Sequence, residues 1–335
     1  MKIIETHAHA RAGLMGNPSD GYFGKTLSIP VRNFSARIVL YEWERVEVLP
    51  NRQDHVRFGS LQELASEVGR NGYFGGMPLI AAALKKFHDY CQENDVALPR
   101  ENFSIRYETD VPRQVGMAGS SAIVTATFLA LMQFYEIEIP LPELPNWVLA
   151  TEVDELRIRA GLQDRVVQCY DAPVFMDFDR EIMERQRHGE YETLDPALFP
   201  PLYLAYKEWL SEVSGIVHND LRERWDRGDQ DVHDAMQEFA RLATEARQCL
   251  LDGRPEQLGP LMDANFDLRR KIMKVSPENL KMVETARKCG ASAKFCGSGG
   301  AIVGVCPDDK TFNKLTTTLG RLGCTVIRPR ILPDH

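Results

Sequence analysis

The stretch that most restricts the fold spans residues 112–132 and reads PRQVGMAGSSAIVTATFLALM. Small residues lead into paired serines and then into an apolar run with helical character; the residues at the turn are Gly116, Ala118, Gly119, Ser120 and Ser121. The first N–H groups of a helix are unpaired and carry about half a positive charge, so they attract anions. Glycine lets a phosphate approach the backbone, because it has no Cβ. We therefore expect a buried helix whose start binds a phosphate.

The paired hydroxyls of Ser120 and Ser121 suit a phosphate oxygen or Mg²⁺. The alternative is structural, because serine is also a favoured N-cap residue. The turn is not a Walker A loop, since no lysine follows the serines. Two further glycine-rich stretches favour the phosphate interpretation: HARAGLMGNPSDGYFGKT at 9–26 and KFCGSGGAIVGV at 294–305. Three such turns predict convergence on one cleft.

Composition excludes several classes of function. The chain has 335 residues and a formal net charge of −8. It contains no basic stripe, so we expect no nucleic-acid partner. It shows neither a signal-peptide core nor an apolar run of the roughly 20 residues that span a bilayer, so we expect a cytoplasmic protein without a membrane partner. The seven cysteines never form a CxxC pair, which indicates reduced thiols.

The patterns of strand and helix predict an α+β fold in two domains, residues 1–198 and 199–335. Alternation and β-branched residues predict strands at 2–6, 34–42, 102–109, 171–178 and 324–328, and a hairpin around 294–305. Periodicity and capping residues predict helices from Ser60 and at 77–90, 122–135, 145–158, 211–225, 232–251, 255–274, 277–289 and 309–322. The polar stretch 179–198, followed by Pro200 and Pro201, predicts the domain boundary.

The three turns together resemble the motifs of the GHMP kinase superfamily. The first motif matches residues 11–24, the second 112–122 and the third 294–304. Within the superfamily, GNPSDGYFGKT, AGLQDRVVQCY and NFDLRRKIM resemble the glucuronokinases, and the similarity extends over most of the chain. The resemblance implies a ribosomal protein S5 domain 2-like N-terminal domain and a ferredoxin-like C-terminal domain. It also implies an ATP- and Mg²⁺-dependent sugar 1-kinase.

Phosphoryl transfer requires an acceptor oxygen in line with the γ-phosphate and neutralisation of charge on that group. The resemblance gives Asp164 the role of taking or orienting the acceptor proton, and the sequence leaves these two roles open. It gives Arg11 the role of a permanent cation beside Asp164. It assigns the nucleotide to the second and third motifs, at Pro112, Gly116, Ala118, Gly119, Ser120, Ser121, Gly297, Ser298, Gly299 and Gly300.

Magnesium takes oxygen ligands and keeps several waters. Ser121 is the predicted hydroxyl ligand, and Glu152 is the best match to the superfamily's metal-binding glutamate. Glu155 lies close to the same helical face and is the alternative. His7 and His9 share one strand face but have no third ligand nearby in sequence, so we interpret them as structural or adjacent to the ligand.

The sugar is expected at a polar turn of the first motif. Its residues Asn17, Ser19, Asp20 and Tyr22 suit a hydroxylated ligand, although an Asn-Pro-Ser-Asp turn also explains them. A uronic acid would require a cation for its carboxylate, and Arg113 and Arg165 are the candidates. The resemblance favours glucuronate, with heptose, galactose or fucose as alternative acceptors. A non-catalytic sugar or nucleotide sensor is the rival class, which the presence of Asp164, Arg11 and both serines disfavours.

Overall fold

The computed structural model describes residues 2–50, 54, 75–208, 210 and 214–333, and of residues 214–219 it describes the backbone. The helix predicted from Ser60 lies outside these residues. The described chain is a mixed α+β structure with two sheets, as the sequence predicts. Within it, no helix combines the length and the apolar character needed to cross a bilayer.

The first sheet holds six of the described strands. They are β1 (Ile3–Met15), β2 (Lys25–Trp43), β3 (Glu47–Val48), β4 (Asn102–Thr109), β5 (Val174–Asp177) and β6 (Glu190–Thr193). The long strand β2 pairs with β1 along most of its length, and with β5 and β4 at its two ends. All pairs are antiparallel except β3 with β4.

The first strand is much longer than predicted, because it continues through the start of the first motif. Ala8, Ala10 and Ala12 are fully or almost fully buried along it. Alanine is a weak strand former, so this alternation carries little β signal in the sequence. Their small side chains instead allow a helix to pack closely over the sheet. The first motif therefore presents Arg11 from a strand and not from a loop.

Helices cover this sheet. They are α1 (Gly76–Glu93), α2 (Gly119–Tyr135), α3 (Leu144–Ala150), α4 (Gln163–Tyr170) and α5 (Arg180–Gln186). Helix α2 packs on β1 and β2, and 11 of its 17 residues are buried, in agreement with its apolar sequence. After α3 the chain makes a wide π-helical turn, Thr151–Glu155, within the segment that was predicted as a regular helix.

The second sheet has the order β10–β7–β9–β8 in the described chain. Its strands are β7 (Leu202–Tyr206), β8 (Lys294–Phe295), β9 (Ala301–Val305) and β10 (Thr325–Ile327), and its helices are α6 (Ser214–Asp226), α7 (Gln230–Leu251), α8 (Leu258–Ile272), α9 (Pro277–Lys288) and α10 (Asp309–Gly320). The antiparallel pair β8–β9 confirms the predicted hairpin at the third motif.

The polar stretch at 179–198 is not a simple linker. It contains α5 and then β6, which pairs with β5 and completes the first sheet. The chain passes from the first sheet to the second between Thr193 and Leu202. The boundary after Leu198 stays a prediction, and it falls within this passage.

Candidate active site

Arg11 is the central residue of the site. It lies on β1 and is 5% exposed, so it is not a surface cation. Its Nε donates to Asp164 Oδ1 at 2.5 Å, and its Nη1 donates to the carbonyl oxygens of Gly116 and Cys296 at 2.8 and 2.9 Å. A guanidinium has several donors in a fixed plane, which allows it to bind a carboxylate and two carbonyls together. Arg11 thus joins all three glycine-rich motifs to Asp164.

The glycines of the second and third motifs are in direct backbone contact. A Cβ at Gly297 would lie 2.4 Å from the carbonyl oxygen of Gly116, and a Cβ at Gly116 would lie 2.9 Å from that of Gly299. Gly116 also has a φ of +67°, which favours glycine. The predicted convergence of the three turns is therefore confirmed. Glycine is required at both positions because a Cβ would meet the backbone of the facing turn.

The start of α2 has no side-chain cap. Its N-cap is Ala118, which has a left-handed backbone at φ 62°. Ser121 is buried and donates to the carbonyl of Ala118 at 3.1 Å, so it does not cap the helix. Gln168 Nε2 donates to the same carbonyl at 2.9 Å. The N-cap interpretation of the serines is wrong, and the N-cap residue itself supplies no side-chain acceptor to the first N–H groups of α2.

Asp164 lies in the first turn of α4 with 16% of its side chain exposed. Arg165 Nη1 approaches its second oxygen at 3.2 Å, so two guanidinium groups flank the carboxylate. Arg165 is itself buried and forms a close two-point ion pair with Glu152. Burial lowers the pKa of Arg165, but the charges of Glu152 and Asp164 outweigh it and the pKa is raised. Arg165 is therefore a fixed cation between two carboxylates.

The two candidate glutamates point in different directions. Glu152 is fully buried and accepts from Ser120 Oγ at 2.7 Å. Glu155 instead pairs with Lys85 at 2.9 Å and with Lys86 at 3.3 Å, and the hydrogen bond from Lys85 lowers its pKa. The π-helical turn separates them, because its wider pitch changes which residues share a face. Of the two, the structure brings Glu152 to the serines of α2.

The polar turn of the first motif lies beside Asp164. Gln163 N donates to Asp20 Oδ2 at 3.4 Å, and a Cβ at Gly161 would lie 2.0 Å from that oxygen. Burial and the nearby charge of Asp164 raise the pKa of Asp20 to about 6. Asp20 thus keeps its proton to a higher pH because it is buried and has Asp164 as a neighbour.

The other residues of this turn have partners in the protein. Ser19 is fully buried and donates to the carbonyl of Lys25 at 3.1 Å, so its hydroxyl stabilises the turn itself. Tyr22 packs against Trp225 with ring centroids 5.1 Å apart. Asn17 is buried, and its Oδ1 accepts from Lys294 Nζ at 2.7 Å.

The remaining predicted nucleotide residues line the same turns with different exposure. Pro112 is half-buried beside the exposed Arg113. A Cβ added at Gly116 would lie 2.9 Å from the backbone nitrogen of Ser298. Gly300 N donates to Asn279 Oδ1 at 2.9 Å, so this N–H is used within the protein.

Sequence reasoning missed the role of Lys294 at the start of the third motif. This lysine is 2% exposed and donates to the carbonyls of Gly13 and Phe295 as well as to Asn17. Burial lowers its pKa well below the ordinary value, and the positive charge of Arg269 acts in the same direction. Lys294 stabilises the start of the polar turn. The indication available in the sequence was that Lys294 is the first residue of the third motif.

The histidine pair of β1 is not a metal site in this structure. The rings of His7 and His9 are 5.0 Å apart, and His9 pairs with Asp171 at 2.8 Å. Among the described residues, no group of three or more histidine, cysteine or acidic side chains could hold a metal ion. A metal held by one carboxylate of the described residues would also coordinate other oxygens, such as those of phosphates and water.

Two family profiles match the chain. The profile described as GHMP kinases N terminal domain matches residues 78–172, and that described as GHMP kinases C terminal matches residues 246–321. Glucuronokinase 1 of Arabidopsis thaliana is 44% identical over 93% of this chain and 87% of its own length. Probable glucuronokinase 2 of the same plant is 42% identical over 99% of this chain and 93% of its own.

Solved structures share the fold at much lower identity. Galactokinase of Lactococcus lactis, solved with galactose, has a TM-score of 0.76 at 14% identity and covers 98% of this chain and 94% of its own. Mevalonate kinase of Methanococcus jannaschii has a TM-score of 0.72 at 19% identity, covering 99% of this chain and 98% of its own. With two profiles over half the chain and relatives above 40% identity along nearly all of it, this chain belongs to the GHMP kinase family.

Proposed function

We propose that the protein is an ATP-dependent sugar 1-kinase that transfers the γ-phosphate to the anomeric hydroxyl of glucuronate. The observation that carries this proposal is the position of Asp164 between Arg11 and Arg165, close to the uncapped start of α2. Support for the acceptor comes from the two plant glucuronokinases, which match nearly the whole chain.

The nucleotide is proposed to bind where the second and third motifs touch. The N–H groups at the start of α2 and the helix dipole suit a triphosphate. Gly116 and Gly297 carry no Cβ, so a phosphate can approach their backbone closely. The proposed residues are Pro112, Gly116, Ala118, Gly119, Ser120, Ser121, Gly297, Ser298, Gly299 and Gly300.

The reaction forms a bond between the anomeric oxygen and the γ-phosphorus, and it breaks the bond from that phosphorus to the oxygen of the departing ADP. Asp164 accepts a hydrogen bond from the anomeric hydroxyl and so orients the hydroxyl oxygen toward the γ-phosphorus. Both oxygens of this carboxylate already accept hydrogen bonds from Arg11 and Arg165, which supports an orienting role over full proton abstraction. The hydroxyl proton leaves through Asp164 or with the phosphate product. Arg11 also stabilises negative charge that develops on the acceptor oxygen.

Magnesium fits the residues present. Glu152 supplies a carboxylate and Ser120 a hydroxyl, whose oxygens lie 2.7 Å apart, and Ser121 follows on the same turn. Hard oxygen donors with few protein ligands suit Mg²⁺ that is shared with substrate phosphates. Glu152 with Ser120 or Ser121 would hold the ion, which would neutralise phosphate charge.

The acceptor is proposed to occupy the polar turn of the first motif, at Asn17, Ser19, Asp20 and Tyr22. Asp20 has two oxygens for vicinal hydroxyls, and Asn17 and Ser19 stabilise the turn from within. Arg113 and Arg165 were predicted to bind the carboxylate. All three side-chain nitrogens of Arg165 already contact acceptors of the protein, which disfavours it for this role.

The test is a panel of sugars offered to the purified protein with ATP and Mg²⁺. The panel contains glucuronate, galacturonate, glucose, galactose, fucose and a heptose. We expect ADP release with glucuronate and a product whose phosphorus couples to the anomeric proton in NMR. Release with a neutral sugar but not with glucuronate would overturn the acceptor, and binding of ATP without release on any sugar would favour the sensor.

A further inference from the structure

A second cation, from the second half of the chain, reaches the polar turn of the first motif. Arg222 lies on α6 and is half-buried. Its Nη2 donates to the carbonyl oxygen of Gly21 at 2.7 Å, and its guanidinium carbon lies 4.4 Å from the centre of the Tyr22 ring. The side chain is therefore held over the turn by one hydrogen bond and one cation–π contact.

The charge of Arg222 is not balanced by a carboxylate among the residues that the structure describes. Its neighbours are different, because Arg224 on the same helix pairs with Asp231, and Arg227, which follows the helix, pairs with Asp229. A guanidinium carries five N–H donors, and one carbonyl and one ring face use few of them. A partly buried cation of this kind favours an anionic ligand.

The two ends of the polar turn face different parts of the site. Asp20 contacts the backbone of Gln163, next to Asp164, where the anomeric hydroxyl is proposed to lie. Two residues further on, Tyr22 lies beneath Arg222. In a uronic acid the carboxylate is separated from the anomeric carbon by the ring oxygen and C5. A sugar with its anomeric end at Asp164 therefore directs its carboxylate away from Asp164.

We propose that Arg222 binds the carboxylate of the sugar and so determines the preference for a uronic acid. This inference rests on the proposed function and names the residue that selects its substrate class. Arg222 suits the role better than Arg165, which is bonded at the anomeric end, and better than the exposed Arg113. The fork geometry of arginine allows two parallel hydrogen bonds to a carboxylate.

Tyr22 lies among charges of both signs. Burial raises the pKa of Tyr22 to about 12; the positive charge of Arg222 acts against this shift, and the negative charges of Asp20 and Asp226 add to it. Among these charges Arg222 has the largest effect, in agreement with its position over the ring.

The test compares glucuronate with its neutral amide in the wild type and in Arg222→Gln, Arg222→Lys and Arg227→Gln. The amide has the same shape without the charge, and its affinity is measured as KM or as a competitive inhibition constant. We expect Arg222→Gln to raise the KM for glucuronate about 10- to 100-fold, with little change for the amide or for ATP. Arg222→Lys should recover part of the loss, because it keeps the charge without the fork. Arg227→Gln should behave as the wild type.

If Arg222→Gln weakens the binding of glucuronate and of the amide by the same factor, the inference is overturned, because Arg222 would then only stabilise the turn. The inference would also be overturned if the ratio of the constants for glucuronate and for the amide were the same in Arg222→Gln as in the wild type. In both cases the wild type still phosphorylates glucuronate, so the proposed function stands. A wild type that does not use any uronic acid would instead overturn the proposed function.

Discussion

Arg11 donates from Nε to Asp164 Oδ1 at 2.5 Å, while its Nη1 donates to the carbonyls of Gly116 and Cys296. One side chain therefore fixes the carboxylate of α4 relative to both glycine turns. Because Arg11 is buried, water cannot easily replace these contacts when they are lost. The distance from Asp164 to the start of α2 depends on this residue.

The first prediction concerns Arg11→Lys. Lysine keeps the charge but has no planar fork, so it cannot hold the carboxylate and both carbonyls together. Small displacements of reacting groups are costly, and we expect turnover to fall about 100-fold. Steady-state kinetics measure this. Arg37→Lys is the matched control, because Arg37 makes a two-point pair with Glu5 but is exposed. Equal turnover in both variants would contradict the central role of Arg11.

The second prediction separates the two roles of Asp164. Asp164→Asn keeps an acceptor oxygen, whereas Asp164→Ala keeps none. We expect turnover to fall by about 10²- to 10⁴-fold while ATP still binds. If Asp164 orients the hydroxyl, Asn should retain more turnover than Ala. If Asp164 abstracts the proton, the two variants should be equally inactive. Near-normal turnover in Asp164→Ala would exclude both roles.

The third prediction concerns the two glutamates. Glu152→Gln removes a charge beside Ser120 and should raise the Mg²⁺ concentration needed for half-maximal turnover about tenfold or more. It also removes one of the two carboxylates that pair with Arg165, so the free energy of unfolding should fall, by at most about 3–5 kcal/mol. Magnesium titration and chemical denaturation measure the two effects. Glu155→Gln, whose partners are lysines on α1, should leave the magnesium requirement unchanged. A raised requirement in Glu155→Gln alone would reverse the assignment.

Much of the site was predictable from local composition. Gly116, Gly297 and the paired serines predict a phosphate-binding turn, because glycine allows close approach to the backbone and a helix start presents unpaired N–H groups. The choice between Glu152 and Glu155 was not predictable, since it depends on a π-helical turn that regular helical periodicity does not show.

Contacts between distant parts of the chain were also hidden from the sequence. Lys294 and Asn17 are 277 residues apart, and Arg222 and Gly21 are 201 apart. Which cation contacts the polar turn depends on how the two halves of the chain pack together. The predicted length of β1 was too short for a related reason. Its alanines suit close packing against a helix, and alanine has a low strand propensity.

The fourth prediction concerns the contact between the glycine turns. Gly297→Ala places a Cβ 2.4 Å from the carbonyl of Gly116 and 2.9 Å from Arg11 Nη1, so the turns must separate. We expect turnover to fall about 100-fold. Gly320→Ala is the control, because a Cβ there meets nothing within 4 Å. Kinetics and thermal unfolding of the two variants test this, and a fully active Gly297→Ala would contradict the observed packing.

The fifth prediction concerns pH. Burial and the charge of Asp164 raise the pKa of Asp20 from 3.8 to about 6, so the folded state holds this proton more tightly than the unfolded state. Stability from Asp20 is therefore greatest below pH 3.8 and is lost as pH rises through about 6, by up to about 3 kcal/mol. At pH 8, Asp20→Asn should be more stable than the wild type, and the difference should vanish or reverse at low pH.

The same carboxylate should make sugar binding depend on pH in the opposite sense. In the proposed complex, ionised Asp20 accepts hydrogen bonds from sugar hydroxyls, so the KM for the sugar should rise as pH falls below about 6. Asp20→Asn should have a high KM that no longer changes across this range. A KM that responds to pH equally in both proteins would assign the titration to another group.

The central claim is that a triphosphate at the start of α2 directs its terminal phosphate toward Asp164. A crystal structure with a non-hydrolysable ATP analogue, Mg²⁺ and glucuronate measures this directly. We predict phosphate oxygens bonded to the N–H groups of residues 119–121 and the anomeric hydroxyl within hydrogen-bonding distance of Asp164. A nucleotide bound elsewhere, or a sugar whose anomeric oxygen lies away from Asp164, would contradict the account.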